Sequence, residues 1–244
     1  RDILKKQLPV LRQAENIHFC VANAENAAGG SGITPAIMDE LLSYGIDVLT
    51  SGDHIWKKRD IIPVIEQSPR LLRPANYPRE AAGKGFGLFT LDSGLTVGVI
   101  NLQGRVFIPA SDCPFKAAQL AVAELSKQTK IIIVDIHAEA TSEKIAMGWY
   151  LDGQVSLIFG THTHIQTADE QILPKETAYI TDVGMTGPYE SVLGRKIDRV
   201  LSSFLTQMPN EFEVAENDVR IGGVIAAVNS ETGRALSIKR IMVK

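Results

Sequence analysis

The sequence predicts an α/β fold with a substantially parallel sheet. Short apolar runs that suit buried strands alternate with helix-like segments through most of the chain. Of the 244 residues, 45% are hydrophobic and 22% are charged, which provides ample material for a core. No internal repeat, low-complexity segment or linker interrupts the alternation. We therefore predict a single domain over residues 1–244.

The first half of the chain supplies helices and short strands in turn. Four apolar residues share one face of a helix predicted over 2–13. Thr34 and Pro35 start the next helix as cap and first-turn residue, and Gly45 follows its end. Asp92 to Gly94 form a turn between two apolar runs, which predicts a hairpin. The predicted elements are helix 2–13, strand 17–22, helix 34–44, strand 48–50, helix 56–66 and hairpin strands 86–91 and 96–101.

The second half continues the alternation and then becomes mostly β. Pro114 starts a helix, and a strongly apolar run follows it at 130–136. Beyond residue 170, helix-like periodicity is confined to one segment. The predicted elements are helices 114–128, 142–150 and 195–205, and strands 130–136, 155–159, 171–173, 178–181, 211–214, 220–228 and 235–243.

Composition excludes several classes of partner. The net charge is −3 and the basic residues are scattered, so we expect no binding of duplex nucleic acid. The two cysteines, Cys20 and Cys113, do not suggest a disulfide framework, which favours a reducing compartment. No apolar run approaches the roughly 20 residues that span a bilayer. We expect a cytoplasmic protein without membrane contact, and a homo-oligomer is compatible with the sequence.

Four of the five histidines follow apolar runs that read as buried strands. These are His54, His137, His162 and His164. Loops at the carboxyl ends of strands are where open α/β folds build their sites. His162 and His164 have a spacing of two, which lets both imidazoles reach one site from an extended segment. Their placement suggests a metal centre.

Oxygen ligands occur at the same positions along the chain. Glu25 and Asn26 follow the first apolar run, and Asp53 precedes His54. The whole candidate set contains six O/N ligands and no thiolate: Glu25, Asn26, Asp53, His137, His162 and His164. Two divalent ions roughly 3.5 Å apart suit such a set better than one tetrahedral zinc. The chemistry this favours is phosphoester hydrolysis.

The residues beside His137 have structural interpretations. Asp135 shares the His137 face of the predicted strand, where it can fix the imidazole tautomer as an outer partner. Glu139 suits the amino end of the next helix. Singly, each motif could also be structural: Glu25 and Asn26 a capped turn, Asp53 and His54 a simple turn.

The ordered motifs resemble those of the calcineurin-like metallophosphoesterases, and more narrowly the bacterial YmdB-like branch of cyclic-nucleotide phosphodiesterases. The resemblance covers essentially the whole chain. It rests on Asn23 to Ala28, Gly52 to His54, Arg73 to Asn76, Asn101 to Arg105, Asp135 to Lys144, Gly160 to His164 and Asp182 to Pro188.

This resemblance implies a four-layer α/β/β/α sandwich with two metal ions, most commonly iron and alternatively manganese. It implies that Glu25 bridges the ions. Asn26 and His164 would complete the coordination of one ion, and Asp53, His137 and His162 would complete that of the other. His54 would be the general acid for the leaving alkoxide, and a bridging hydroxide would attack phosphorus.

Two departures from the family pattern stand out. Asp53 replaces the usual asparagine, which keeps a ligand oxygen and adds a negative charge. Family members also begin with a strand and a loop aspartate that binds the first ion, whereas this sequence starts with Arg1 and a helix. We therefore expect a missing amino-terminal strand and a weakened Asn26/His164 ion.

The leading functional interpretation is a phosphodiesterase for cyclic nucleotides, 2′,3′-cyclic or 3′,5′-cyclic. Two alternatives stay open: a phosphomonoesterase or nuclease of the same superfamily, and a catalytically weak nucleotide-sensing regulatory protein. Turnover of different phosphoesters separates the enzymes from one another, and metal content with turnover separates them from the sensor.

Overall fold

The computed structural model describes residues 1–244 and has the α/β fold that the sequence predicts. The helices are α1 (Asp2–Ala14), α2 (Pro35–Ser43), α3 (Ile62–Gln67), α4 (Pro114–Leu125), α5 (Thr141–Leu151) and α6 (Ile197–Thr206). The strands are β1 (Val21–Asn23), β2 (Val48–Thr50), β3 (Phe86–Thr90), β4 (Thr96–Gln103), β5 (Ile131–His137), β6 (Leu157–Thr161), β7 (Gln171–Ile172), β8 (Ala178–Ile180), β9 (Gly187–Pro188), β10 (Val219–Val228) and β11 (Ala235–Val243).

The largest sheet has six strands in the order β3-β4-β5-β6-β8-β7. Its four central strands are parallel, and antiparallel β3 and β7 form the edges. A parallel pair β1-β2 and an antiparallel sheet β11-β10-β9 complete the β structure. The predicted hairpin and the predominantly parallel sheet are both confirmed.

Three apolar cores give the layer order α/β/β/α. The first packs α4 and α5 on the outer face of the six-stranded sheet, and its members include Leu125 of α4, Met147 of α5 and Val134 of β5. The second packs α1, α2 and α3 around β2. The third lies between the β layers and includes Val48 of β2 and Val99 of β4.

Side chains on the inner face of the central strands change from apolar to polar toward the carboxyl ends of the strands. Val97 and Val99 of β4 face the inner core, and the next residues in that row, Asn101 and Gln103, are fully buried and polar. In β5 the same row continues through Asp135 to His137. The carboxyl end of the sheet is therefore a buried polar site between two β layers.

Three predicted elements differ from the structure by more than small shifts of their ends. β1 begins at Val21 rather than at residue 17, because its ladder with β2 starts there and His18 is exposed. Most of predicted helix 56–66 is a turn and a short 3₁₀ segment, since Pro63 lies in the first turn of α3. The predicted strand 211–214 was wrong: its alternating pattern has no neighbouring strand, and only Val214 forms a bridge.

No helix in this fold combines the length and the apolar character needed to cross a membrane.

Candidate metal centre

Four of the predicted ligands converge at the carboxyl ends of the strands. Glu25, Asp53, His137 and His162 each place one ligand atom within 4.8 Å of all the others. The His137 Nε2 atom lies 3.1 Å from Glu25 Oε1 and 3.5 Å from Asp53 Oδ1. Its distance to His162 Nδ1 is 3.0 Å. Two carboxylates and two imidazoles therefore surround one small volume.

Burial of these charged side chains is energetically unfavourable unless their charges are compensated. The side chains of Glu25 and His137 are 2% and 1% exposed, and Asp53 Oδ1 is buried without a hydrogen-bond partner. A buried carboxylate oxygen with no donor is unfavourable unless a proton or a cation lies beside it. The oxygen and nitrogen donors suit a divalent transition metal, so the residues present fit an ion.

The other two predicted ligands lie on one side of this cluster. The Asn26 amide nitrogen is 3.3 Å from Glu25 Oε1 and 3.2 Å from His164 Nε2. In this arrangement Asn26 turns its N–H groups toward them, so binding an ion through its oxygen requires the amide to rotate by half a turn. His164 Nδ1 donates to the Leu193 carbonyl at 3.2 Å, which leaves Nε2 as the nitrogen that faces Asn26.

His54 lies at the mouth of the site, and 32% of its side chain is exposed. Its Nδ1 is 3.1 Å from Asn26 Oδ1, which can only accept, so Nδ1 carries a hydrogen. Its Nε2 lies 3.5 Å from Asp53 Oδ2. Asn26 thus orients the ring, and Nε2 is the ring nitrogen that lies beside Asp53 at the mouth.

The position of His137 is fixed by a hydrogen-bonded relay across three strands. The Thr161 hydroxyl donates to Asp135 Oδ1 at 2.7 Å, so it accepts from His137 Nδ1 at 2.9 Å. Asn23 Nδ2 donates to the second Asp135 oxygen at 3.0 Å. His137 therefore keeps its hydrogen on Nδ1 and presents Nε2 to the site. This supports the interpretation of Asp135 as an outer partner, acting through Thr161.

The sequence reasoning missed Asn23 and Thr161. Both belong to motifs that were recognised, Asn23 two residues before Glu25 and Thr161 directly before His162. Their roles depend on the pairing of His137 with Thr161 between neighbouring strands, which a single strand does not reveal. Glu139 also contacts the site, since its Oε2 lies 3.1 Å from His162 Nε2.

Gly52 permits the loop of Asp53 and His54 to approach the cluster. A Cβ atom at Gly52 would lie 2.2 Å from the His137 ring and 2.3 Å from Glu25 Oε2. Any side chain at Gly52 would therefore displace His137 and Glu25. Glycine is required at this position because the backbone lies too close to these two side chains for a Cβ atom to fit.

The charges of the site shift the pKa values of its members in opposite directions. Burial lowers the pKa of His137, but the facing carboxylates of Glu25 and Asp53 outweigh this and raise it to about 9. The nearby His137 imidazole, with Nε2 3.5 Å from Asp53 Oδ1, outweighs burial and lowers the pKa of Asp53 to about 2. Burial opposes the same effect at Glu25, yet its pKa is also lowered by His137. Both carboxylates are therefore ionised in the metal-free protein.

We expect metal affinity to rise with pH, because an ion must displace the proton from His137 Nε2. Below the His137 pKa of about 9, one displaced proton gives a rise of up to roughly tenfold per pH unit. The same raised pKa stabilises the metal-free fold below about 6.5, and this contribution is lost as pH rises through about 9. Calorimetric Mn²⁺ titration at several pH values measures the affinity. Equal affinity at about pH 6 and about pH 8 would contradict this expectation.

Comparison with known proteins agrees with this geometry. The sequence model of the YmdB-like protein family matches residues 1–241. The 2′,3′-cyclic-nucleotide 2′-phosphodiesterase of Bacillus subtilis is 46% identical over 243 residues, covering 100% of this chain and 92% of that protein. A putative phosphatase/phosphodiesterase of Mycoplasma genitalium is 35% identical over 250 residues, covering 100% of this chain and 88% of that protein.

Solved structures show the same fold. A protein from Thermus thermophilus, described as hypothetical, superposes with a TM-score of 0.92 at 36% identity, covering 99% of this chain and 92% of the other. A Mycoplasma pneumoniae protein described as a novel phosphatase also gives a TM-score of 0.92, at 33% identity, covering 99% of this chain and 88% of the other. The predictions of an α/β fold of this type and of a phosphoesterase are confirmed. The chain belongs to the YmdB-like protein family.

Proposed function

We propose that this chain is a two-metal phosphodiesterase that hydrolyses 2′,3′-cyclic nucleotides. The observation that carries the proposal is the buried cluster of Glu25, Asp53, His137 and His162 with His54 beside it at the mouth. The name of the Bacillus subtilis relative supports the substrate class. We also propose that residues 1–244 form a single domain and that its substrates are small phosphoesters.

The residues of the cluster would hold the ions in two groups. Asp53, His137 and His162 would bind one ion, Asn26 and His164 would bind the other, and Glu25 would contribute to both. Iron is our first choice and manganese the second, because both accept imidazole and carboxylate ligands. When bound, such ions supply an activated water and neutralise charge on phosphoryl oxygens.

His54 would donate a proton to the ribose oxygen that leaves phosphorus. An alkoxide is a poor leaving group, so its protonation in the transition state accelerates cleavage. In the metal-free arrangement Nδ1 donates to Asn26 Oδ1, and Nε2 lies beside Asp53 at the mouth of the site. Rotation of the Asn26 amide to bind an ion would break this hydrogen bond, and Glu25 Oε1, 3.8 Å from Nδ1, would then be an alternative acceptor.

A phosphomonoesterase is the second candidate, since the Mycoplasma genitalium relative is named both phosphatase and phosphodiesterase. The residues of the cluster indicate metal binding more specifically than they indicate which phosphoester is the substrate. The 2′-phosphodiesterase name of the other relative favours a cyclic diester.

A substrate panel tests the proposal. Protein loaded with Mn²⁺ is assayed with 2′,3′-cyclic AMP, 3′,5′-cyclic AMP, p-nitrophenyl phosphate and single-stranded RNA. We expect the highest kcat/KM for the 2′,3′-cyclic nucleotide, with nucleoside 3′-phosphate as product and loss of turnover in EDTA. Preference for the monoester would support the phosphomonoesterase, and metal binding without turnover of any substrate would support a sensor.

A further inference from the structure

The two histidines of the Gly160 to His164 motif have an unusual backbone. His162 has φ of 95° and His164 has φ of 65°, both in the left-handed region that residues other than glycine rarely adopt. Two such residues separated only by Thr163 form an unfavourable segment. The surrounding structure must hold it in place.

Thr163 is held by a buried ion pair. Asp182 Oδ2 accepts from the Thr163 backbone N–H at 3.1 Å and from its hydroxyl at 2.6 Å. Lys144 Nζ lies 2.7 Å from the same oxygen and donates to the Thr163 hydroxyl at 3.2 Å. The side chains of Lys144 and Asp182 are 0% exposed. Three groups therefore converge on one carboxylate oxygen.

Asp182 is itself rigidly placed. Its other oxygen accepts from the Gly184 N–H at 2.8 Å, and its own N–H donates to the Thr167 hydroxyl at 2.9 Å. The Lys144 side chain passes directly over Gly160, where an added Cβ would lie 2.8 Å from Lys144 Cδ. The ion pair thus connects the first turns of α5 with the loop that follows β6 and the loop that follows β8.

The arrangement sends the flanking imidazoles to different parts of the site. His162 Nδ1 lies 3.0 Å from His137 Nε2, whereas His164 Nε2 lies 3.2 Å from the Asn26 amide. We infer that Lys144 and Asp182 are positioning residues that fix Thr163, and through it His162 and His164, in the orientation that binds metal. The inference deepens the proposed function, because it concerns the ligands of the same site.

A purely structural role for the pair is the competing explanation. Replacing a buried ion pair by neutral residues of similar volume is often neutral for stability, whereas removing one partner leaves a buried charge. The double variant Lys144→Met with Asp182→Asn therefore suits the test. The amide oxygen introduced at position 182 can still accept from the Gly184 N–H, but Thr163 loses the carboxylate and the lysine.

Thr163→Val is the more conservative variant, because it replaces only the hydroxyl by a methyl group and leaves the ion pair intact. Thr163→Ser restores the hydroxyl and serves as the rescue. Thr177→Val is the matched control: Thr177 is also buried and its hydroxyl donates to the Val155 carbonyl at 2.7 Å, but it lies at the opposite end of the sheet.

The measurements are Mn²⁺ affinity and stoichiometry in the full chain, with thermal unfolding of the metal-free protein as the check on folding. We expect Thr163→Val and the double variant to lose roughly 10–100-fold in affinity, the range for outer partners of metal ligands. Thr163→Ser and Thr177→Val should bind Mn²⁺ like the parent. Equal affinity in Thr163→Val and the parent, or equal loss in Thr177→Val, would overturn the inference.

Histidine side-chain NMR of the metal-free protein supplies a second readout. The His162 and His164 imidazole resonances should shift in Thr163→Val and stay in place in Thr177→Val; unshifted resonances in both would overturn the inference. Neither readout uses a substrate. Failure of the protein to hydrolyse any phosphodiester would therefore contradict the proposed function without touching this inference.

Discussion

Replacing Glu25 by glutamine is expected to abolish tight metal binding and, with it, phosphodiester hydrolysis. Glu25 is 2% exposed, its Oε1 lies 3.1 Å from His137 Nε2, and its Oε2 accepts from the His54 N–H at 3.3 Å. The substitution keeps the volume of the side chain and removes the central negative charge. The loss of metal affinity should exceed the roughly 100-fold that outer partners cost.

Metal content after reconstitution and kcat/KM for 2′,3′-cyclic AMP measure this effect. Asp152→Asn is the control, since Asp152 is also a buried carboxylate but accepts from the Lys175 N–H away from the site. We expect the control to retain its metal. Glu25→Gln protein with the parent's metal content and turnover would show that this cluster is not the metal site.

Replacing His54 by alanine should leave metal content unchanged and lower kcat by roughly 10²–10⁴-fold for the cyclic nucleotide, the usual contribution of a general acid. The reason is that His54 contacts Asn26 and Asp53 at the mouth, outside the four converging ligands. The leaving ribose oxygen would then depart without a proton donor.

The leaving group makes this prediction specific. Bis(p-nitrophenyl) phosphate releases a weakly basic phenolate that needs no proton, so His54→Ala should affect its hydrolysis much less. His18→Ala is the matched control, because His18 is exposed and precedes β1 outside the site. A uniform loss with both substrates, or loss of metal in His54→Ala, would rule out the general-acid role.

The positions of the site loops were predictable from the sequence. Apolar runs before His54, His137 and His162 identify strand ends, and parallel strands bring those ends to one edge. The structure does bring all six candidate ligands and His54 into one connected set of contacts. Which ligands share an ion was implied by family resemblance alone and stays a prediction.

The outer partners were harder to predict because they depend on distant segments. Thr161 connects His137 to Asp135 only through the register of β5 and β6. Lys144 and Asp182 lie 38 residues apart, and nothing in either motif indicates that they form a pair. The wrong prediction of a strand at 211–214 also reflects a dependence on distant segments. Alternation of side chains predicts a strand locally, but a strand also needs a neighbouring strand to pair with.

The central claim is that this cluster binds the ions that make the chain a phosphodiesterase. Its most direct test is a Mn²⁺ titration of the metal-free protein, with bound ions counted while hydrolysis of 2′,3′-cyclic AMP is followed. We predict that turnover appears with bound metal and saturates near two ions per chain. Full turnover by the metal-stripped protein, or saturation below about one bound ion per chain, would contradict the account.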